Sequence, residues 1–129
     1  MRPVAYRSDD YILLTTYYEL LYTIEESLTY LDEIEMDFSK TEGDRIFNDL
    51  IHAFFQLETT HPLLLSIIKN EHFAQTIRSF DQIFLSFDIL AFYHFPSDHF
   101  QNFLKVYFIP EYSQWMGEIH ACMRPYVIH

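Results

Sequence analysis

The sequence predicts an all-α fold, an antiparallel up-and-down four-helix bundle with proline kinks near Pro62 and Pro110. Three observations predict it. Apolar residues recur at three- and four-residue steps along most of the chain, the period of a helix with one buried face. There are only two glycines, Gly43 and Gly117, and five prolines, far fewer turn residues than an all-β fold needs. The interruptions are short, as suits tight links between antiparallel neighbours. Half of the 129 residues are apolar and 19% are aromatic, enough for one domain over residues 1–129 with a core that needs no staples.

The first helix is expected to begin near Ser8 or Asp9, either of which can cap free amides and place a carboxylate at the positive end of the dipole. Its stripe is Leu13, Tyr17, Leu20 with Leu21, Ile24, Leu28, Leu31, Ile34 and Phe38. Glu19, Glu25, Glu26, Asp32 and Glu33 fall off that stripe. So do Tyr18 and Tyr22, four residues apart on the outer face. Residues 39–44 end this helix, and Thr41 with Asp44 approximates a capping box for the next.

The second helix carries Phe47, Leu50, Ile51, Phe54 and Leu57 on one face. At Pro62 the chain loses an amide and His61 is biased toward extended geometry, so a break or kink is expected, then a short helical piece over 62–68. Asn70 is placed to cap a third helix running to about Phe95. Its main stripe is Phe73, Ile77, Phe80, Phe84, Phe87 and Ala91, widened by Ile83 and Leu90. Leu85, Ile89, Phe92 and Tyr93 project to the other side. Residues 80–95 are apolar at eleven of sixteen positions, yet too short and too interrupted by Asp81 and Asp88 to span a bilayer. The second apolar face therefore needs a cover, from a chain terminus or another molecule.

Pro96 ends the third helix and Ser97 caps the fourth, which bears Phe100, Leu104, Tyr107 and Phe108. Beyond Pro110 the stripe resumes at Tyr112, Trp115, Met116, Ile119, Cys122 and Met123. The pattern keeps phase, so one kinked helix is expected, ending at Arg124-Pro125. The apolar tail of Tyr126, Val127 and Ile128 is expected to pack back onto the bundle.

The net charge of −11 is unevenly placed, with nine acidic residues and no Lys or Arg between residues 8 and 39. Such a surface repels nucleic-acid phosphates and anionic headgroups, so neither nucleic acid nor membrane is expected as a partner. Cys122 is the single cysteine, no secretory signal is evident, and no run of eighteen apolar residues occurs. The expectation is a cytoplasmic protein.

The segment Phe47-x-Asp49-Leu50-Ile51-x-Ala53-Phe54, followed by Pro62 and then Pro110-x-Tyr112-x-x-Trp115, resembles a group of short uncharacterised helical proteins of Bacillus-type bacteria. The resemblance runs from Phe47 into the C-terminal region, and departs from the group in the density of phenylalanine between Phe80 and Phe108. It implies a helical fold and a bacterial cytoplasm, and supplies no site.

Several constellations bear on chemistry. Asp49-x-x-His52 and Glu58-x-x-His61 look like halves of a helical di-metal carboxylate site, but both lie on one helix, nine residues apart and about 180° around it. His52, His94, His99 and His120 are spread over three expected helices, from which three could meet a divalent ion at a bundle end. Arg45 and His52 are spaced as in the loose motif that helical ribonuclease toxins carry, in a charge setting wrong for RNA. Cys122 reads as a core thiol, since a helix C-terminus beside it raises a thiol pKa. The aromatic stripe reads as packed core before ligand cavity. No phosphate loop or nucleophile arrangement is present.

The leading expectation is a small acidic, non-enzymatic bundle that works through protein–protein interaction or self-association, for example as a homodimer. The candidate interface is Leu85, Ile89, Phe92, Tyr93, Tyr18 and Tyr22; no catalytic residue, metal or cofactor is assigned. Two other readings stand beside it. One is a metal-binding helical-bundle enzyme, the other an export-chaperone-like adaptor that resembles flagellar chaperones in size and helix content.

Overall fold

The structure, a computed structural model, describes residues 8–33, 40–93 and 97–127. Among them every regular element is helical: α1 Ser8–Glu33, α2 Lys40–Ile67, α3 Glu71–Arg78, α4 Phe80–Phe92, α5 Asp98–Phe103, a π-helical turn Leu104–Phe108, and α6 Ile109–Val127. Ile34, Phe38, Phe95, Pro96 and Ile128 from the expected stripes and boundaries lie outside the described residues, as does His94.

In α1 the buried residues are Leu14, Tyr17, Leu21, Ile24, Leu28 and Leu31, at strict three–four spacing. Leu14 heads this stripe in place of Leu13, which flanks it with Leu20. Asp9 and Asp10 stand in the first turn, where carboxylates suit the positive end of the dipole. The C-terminal half leans on the last helical run: Ser113 Oγ donates to Glu25 at 3.2 Å, and Lys105 pairs with Asp32 at 3.6 Å.

α2 departs from expectation. It begins at Lys40, ahead of Thr41, and runs through Pro62 without a break, so residues 62–67 are its own last turns. The bias of a residue before proline against helical geometry is overridden by burial. His61, Leu64 and Ile68 continue the stripe of Leu50, Phe54 and Leu57, and leaving the helix at His61 would expose all three. On the solvent side of the preceding turn, the hydroxyls of Thr59 and Thr60 both donate to the Gln56 carbonyl, at 3.2 and 2.7 Å.

Asn70 caps α3 as the sequence implies, its Oδ1 accepting from the Phe73 amide at 2.9 Å. We expect Asn70→Ala to lower stability by about 1 kcal/mol, while Asn70→Asp retains most of it because the acceptor remains. A urea midpoint for the alanine variant equal to that of the parent would show that the cap contributes nothing.

The single helix expected from Asn70 to about Phe95 is two, divided at Ser79. The carbonyl of Thr76 is the α-helical acceptor for the Phe80 amide. Here it receives two side chains, Ser79 Oγ at 2.6 Å and the Trp115 indole at 2.9 Å. Just beyond, the amide of Gln82 bonds to the Ser79 carbonyl at 3.1 Å, three residues back, and the helix restarts. In α4 the buried face is Phe80, Ile83, Phe87 and Leu90, so Ile83 and Leu90 are central while Phe84 packs at the flank.

Ser97 caps α5, accepting from the Phe100 amide at 3.0 Å. The run continues to Val127 as one helix with a π turn at Leu104–Phe108, where the Ile109 amide bonds to the Leu104 carbonyl. Pro110 follows directly. A proline ring displaces the carbonyl four residues back, and a widened turn makes that room. The extra residue shifts the register, so Tyr107 is exposed although the unbroken period puts it in the core, and Phe108 is fully buried. Pro125 does not end α6 either: helix persists to Val127, which is buried and whose carbonyl accepts the Tyr11 hydroxyl at 3.2 Å.

α1 packs against α2 and α6, and α6 also against α3 and α4. The pairs Tyr11–Val127, Tyr18–His120, Leu21–Tyr112 and Leu31–Gln101 ascend one chain while descending the other, so α1 lies antiparallel to the last run. Ring contacts Phe47–Phe87, Phe54–Phe80 and His61–Phe80 set α2 antiparallel to α4 in the same way. Phe54 sits where these helices converge, 4.4 Å from the Phe87 ring and 5.8 Å from those of Phe108 and Tyr112. The aromatic stripe is therefore packed core, ring against ring.

Candidate functional site

α4 presents two faces. Opposite its core residues, Leu85, Ile89 and Phe92 are 56%, 47% and 76% exposed. They recur at steps of four and three, so they form one apolar ridge on the outside of the bundle. Asp81 and Asp88 are exposed beside it, and α4 contains no Lys or Arg.

Tyr93 leaves this group. It is half-buried in the seam between α4 and α5, 5.7 Å from the Phe103 ring and 5.8 Å from His99. From there an aromatic chain leads outward, Phe103 contacting the exposed Tyr107 at 5.5 Å. Sequence periodicity misses Tyr107 because the π turn that rotates it outward has no local signature apart from the proline after it. It misses Phe55 for another reason. That residue lies off the α2 stripe and is exposed, and its 5.4 Å contact with Phe84 is a tertiary fact.

Tyr18 and Tyr22 are elsewhere. They hold His120 of α6, each ring 4.2 Å from the imidazole, while His120 Nε2 donates to the Tyr18 carbonyl at 3.2 Å. Burial lowers the His120 pKa; the Tyr18 carbonyl and the nearby Glu25 carboxylate work against that shift. Only Tyr22 remains an exposed anchor, and the six candidate residues thus form two patches on helices with different neighbours.

The histidines do not converge. His52 is exposed and its Nδ1 donates to the Asn48 carbonyl at 2.9 Å. His61 is buried, with Nε2 and the Tyr17 hydroxyl sharing a 2.7 Å hydrogen bond, while Glu58 of the same Glu-x-x-His spacing faces solvent. His99 stacks on Tyr93 and His120 lies between its tyrosines. Asp49 pairs with Arg45 at 3.7 Å across one exposed turn. Among the described residues no three His, Cys, Asp or Glu side chains lie together as a metal-binding group. Cys122 is half-buried, and burial raises its thiol pKa while a Thr76 hydrogen bond opposes the shift.

No helix among the described residues is long and apolar enough to cross a membrane. In Bacillus subtilis strain 168 the uncharacterised protein YvzG is 50% identical over 121 residues, which cover 94% of this chain and 97% of that relative. The likeness to Bacillus-type proteins therefore extends across α1 as well as the region from Phe47 onward. No solved structure matches the chain. The family model for a domain of unknown function (DUF8042) matches residues 12–118, from the second turn of α1 into α6, and the chain belongs to that family.

Proposed function

We propose that this protein acts by binding another protein, not by catalysis, and that the outward face of α4 is the contact surface. The observation that carries this is the exposure of Leu85, Ile89 and Phe92 in one line on a helix whose opposite face fills the core. Single exposed apolar residues are ordinary on any surface; three in register on one helix mark a binding surface. The half-buried lone cysteine suits a reducing compartment such as a bacterial cytoplasm.

The ridge makes little contact with the core, so Leu85→Asp with Phe92→Asp is expected to change stability by no more than about 0.5 kcal/mol per site. Affinity capture from the native host, followed by cross-linking, should yield a polypeptide joined to the α4 face in the parent and absent with the double variant. Retention of the same polypeptide by a folded double variant would end this reading.

A further inference from the structure

We infer that the α4 ridge receives a cationic amphipathic helix, a segment of another protein with apolar residues along one side and Lys or Arg at its flanks. This rests on the reading of α4 as a binding surface and goes on to name the occupant. Leu85, Ile89 and Phe92 span two helical turns, roughly 10 Å, the length over which a second helix offers anchors at i, i+3 or i+4, and i+7. Asp81 and Asp88 stand seven residues apart on one flank of that ridge, and neither is held in an ion pair among the described residues. The negative end of the α4 dipole lies beside Phe92, with no basic residue in the last turn to offset it. Every charged side chain that α4 itself places along the ridge therefore has the same sign.

The same geometry disfavours a second copy of the chain. In a two-fold antiparallel pairing of α4 centred near Ile89, equal flanks face each other, so Asp88 opposes the Asp88 of the other copy. No Lys or Arg exists on either helix to separate them, and each chain brings a net charge of −11. A helix with Lys or Arg at heptad spacing reverses both terms. It sets ammonium or guanidinium groups against Asp81 and Asp88, and another over the face of Phe92.

The probe is a fluorescent eighteen-residue peptide of Leu and Lys in an amphipathic helical pattern, titrated with the full chain at physiological salt and read by anisotropy. Its control is the same composition in a scrambled, non-amphipathic order. We expect saturable binding of the first and at least about tenfold weaker binding of the second. Leu85→Asp with Phe92→Asp should weaken binding by at least about tenfold, although it adds negative charge that strengthens any purely Coulombic attraction. Asp81→Asn with Asp88→Asn should weaken it about three- to tenfold and flatten its salt dependence. Equal binding of the two peptides, or undiminished binding by the Leu85/Phe92 variant, overturns the proposal as net-charge attraction alone. Light scattering that shows a dimer, dissociated by Phe92→Asp, overturns it in favour of a second copy and leaves α4 as an interface. Absence of both peptide binding and dimer overturns the cationic-helix assignment, and host capture then decides the α4 interface separately.

Discussion

Replacing Phe54 by alanine is expected to lower the stability of this fold by about 3–5 kcal/mol, a large share of what a domain of this size possesses. Phe54 is fully buried and touches rings from three other parts of the chain: Phe80 and Phe87 of α4, Phe108 of the π turn, and Tyr112 of α6. Truncation removes the transfer free energy of the ring and leaves a cavity whose walls belong to separate helices. It also abolishes aromatic pairs worth roughly 0.5–1.5 kcal/mol each beyond the area they bury. Collapse of the site requires α2, α4 and the last run to shift together, so relief is small. The neighbouring Phe55, exposed and touching Phe84 at its edge, provides the contrast: Phe55→Ala should change stability by less than about 1 kcal/mol. Urea denaturation of the two variants, one position apart, measures the difference. Similar midpoints for both would mean that α2 does not present Phe54 to this core.

Acidification from pH 7 to about pH 4 is expected to remove roughly 3 kcal/mol of stability through His61 alone. Burial lowers the His61 pKa from 6.5 to about 4, because the imidazolium would sit among the Phe80, Trp115 and Tyr17 rings. The direction follows from which state binds the proton first. In the unfolded chain His61 protonates as pH falls through 6.5, whereas in the folded chain it stays neutral until about pH 4. Above pH 6.5 neither state holds the proton and no penalty exists. Between those values the unfolded state gains, and below about pH 4 the loss is complete. His120, whose pKa burial also lowers, adds in the same direction.

Replacing His61 alone by phenylalanine would strand the buried Tyr17 hydroxyl, so the informative protein is His61→Phe combined with Tyr17→Phe. Urea midpoints at pH 7.0, 5.5 and 4.5 should fall less steeply for this pair than for the parent. Parallel slopes would show that His61 is not held neutral.

Much of this architecture was legible in the residues. The stripes of α1 and α2, the side-chain caps at Asn70 and Ser97, and the outward Leu85, Ile89 and Phe92 all follow from periods and capping chemistry that act within a few residues. Leu85, Ile89 and Phe92 were readable for the same reason: a helix with a filled core face must carry its remaining apolar residues outside. Local rules did less well wherever a local preference of a few kcal/mol competed with burial. Pro62 and Pro125 signal an end to a helix, yet His61, Leu64 and Val127 are buried by continuing it.

Where two segments far apart in the chain share one group, periodicity is silent. Trp115 reaches back 39 residues to the Thr76 carbonyl, and together with Ser79 divides what reads as a single helix. His120 holds Tyr18 against α6 and Phe103 engages Tyr93, so the exposed members of the candidate set are Leu85, Ile89 and Phe92 on α4 with Tyr22 apart from them on α1. Spacing in the sequence thus set which face each residue shares with its helical neighbours. Packing between helices settled which of those faces remain open, because side-chain burial and shared hydrogen bonds act between residues that only the fold brings together.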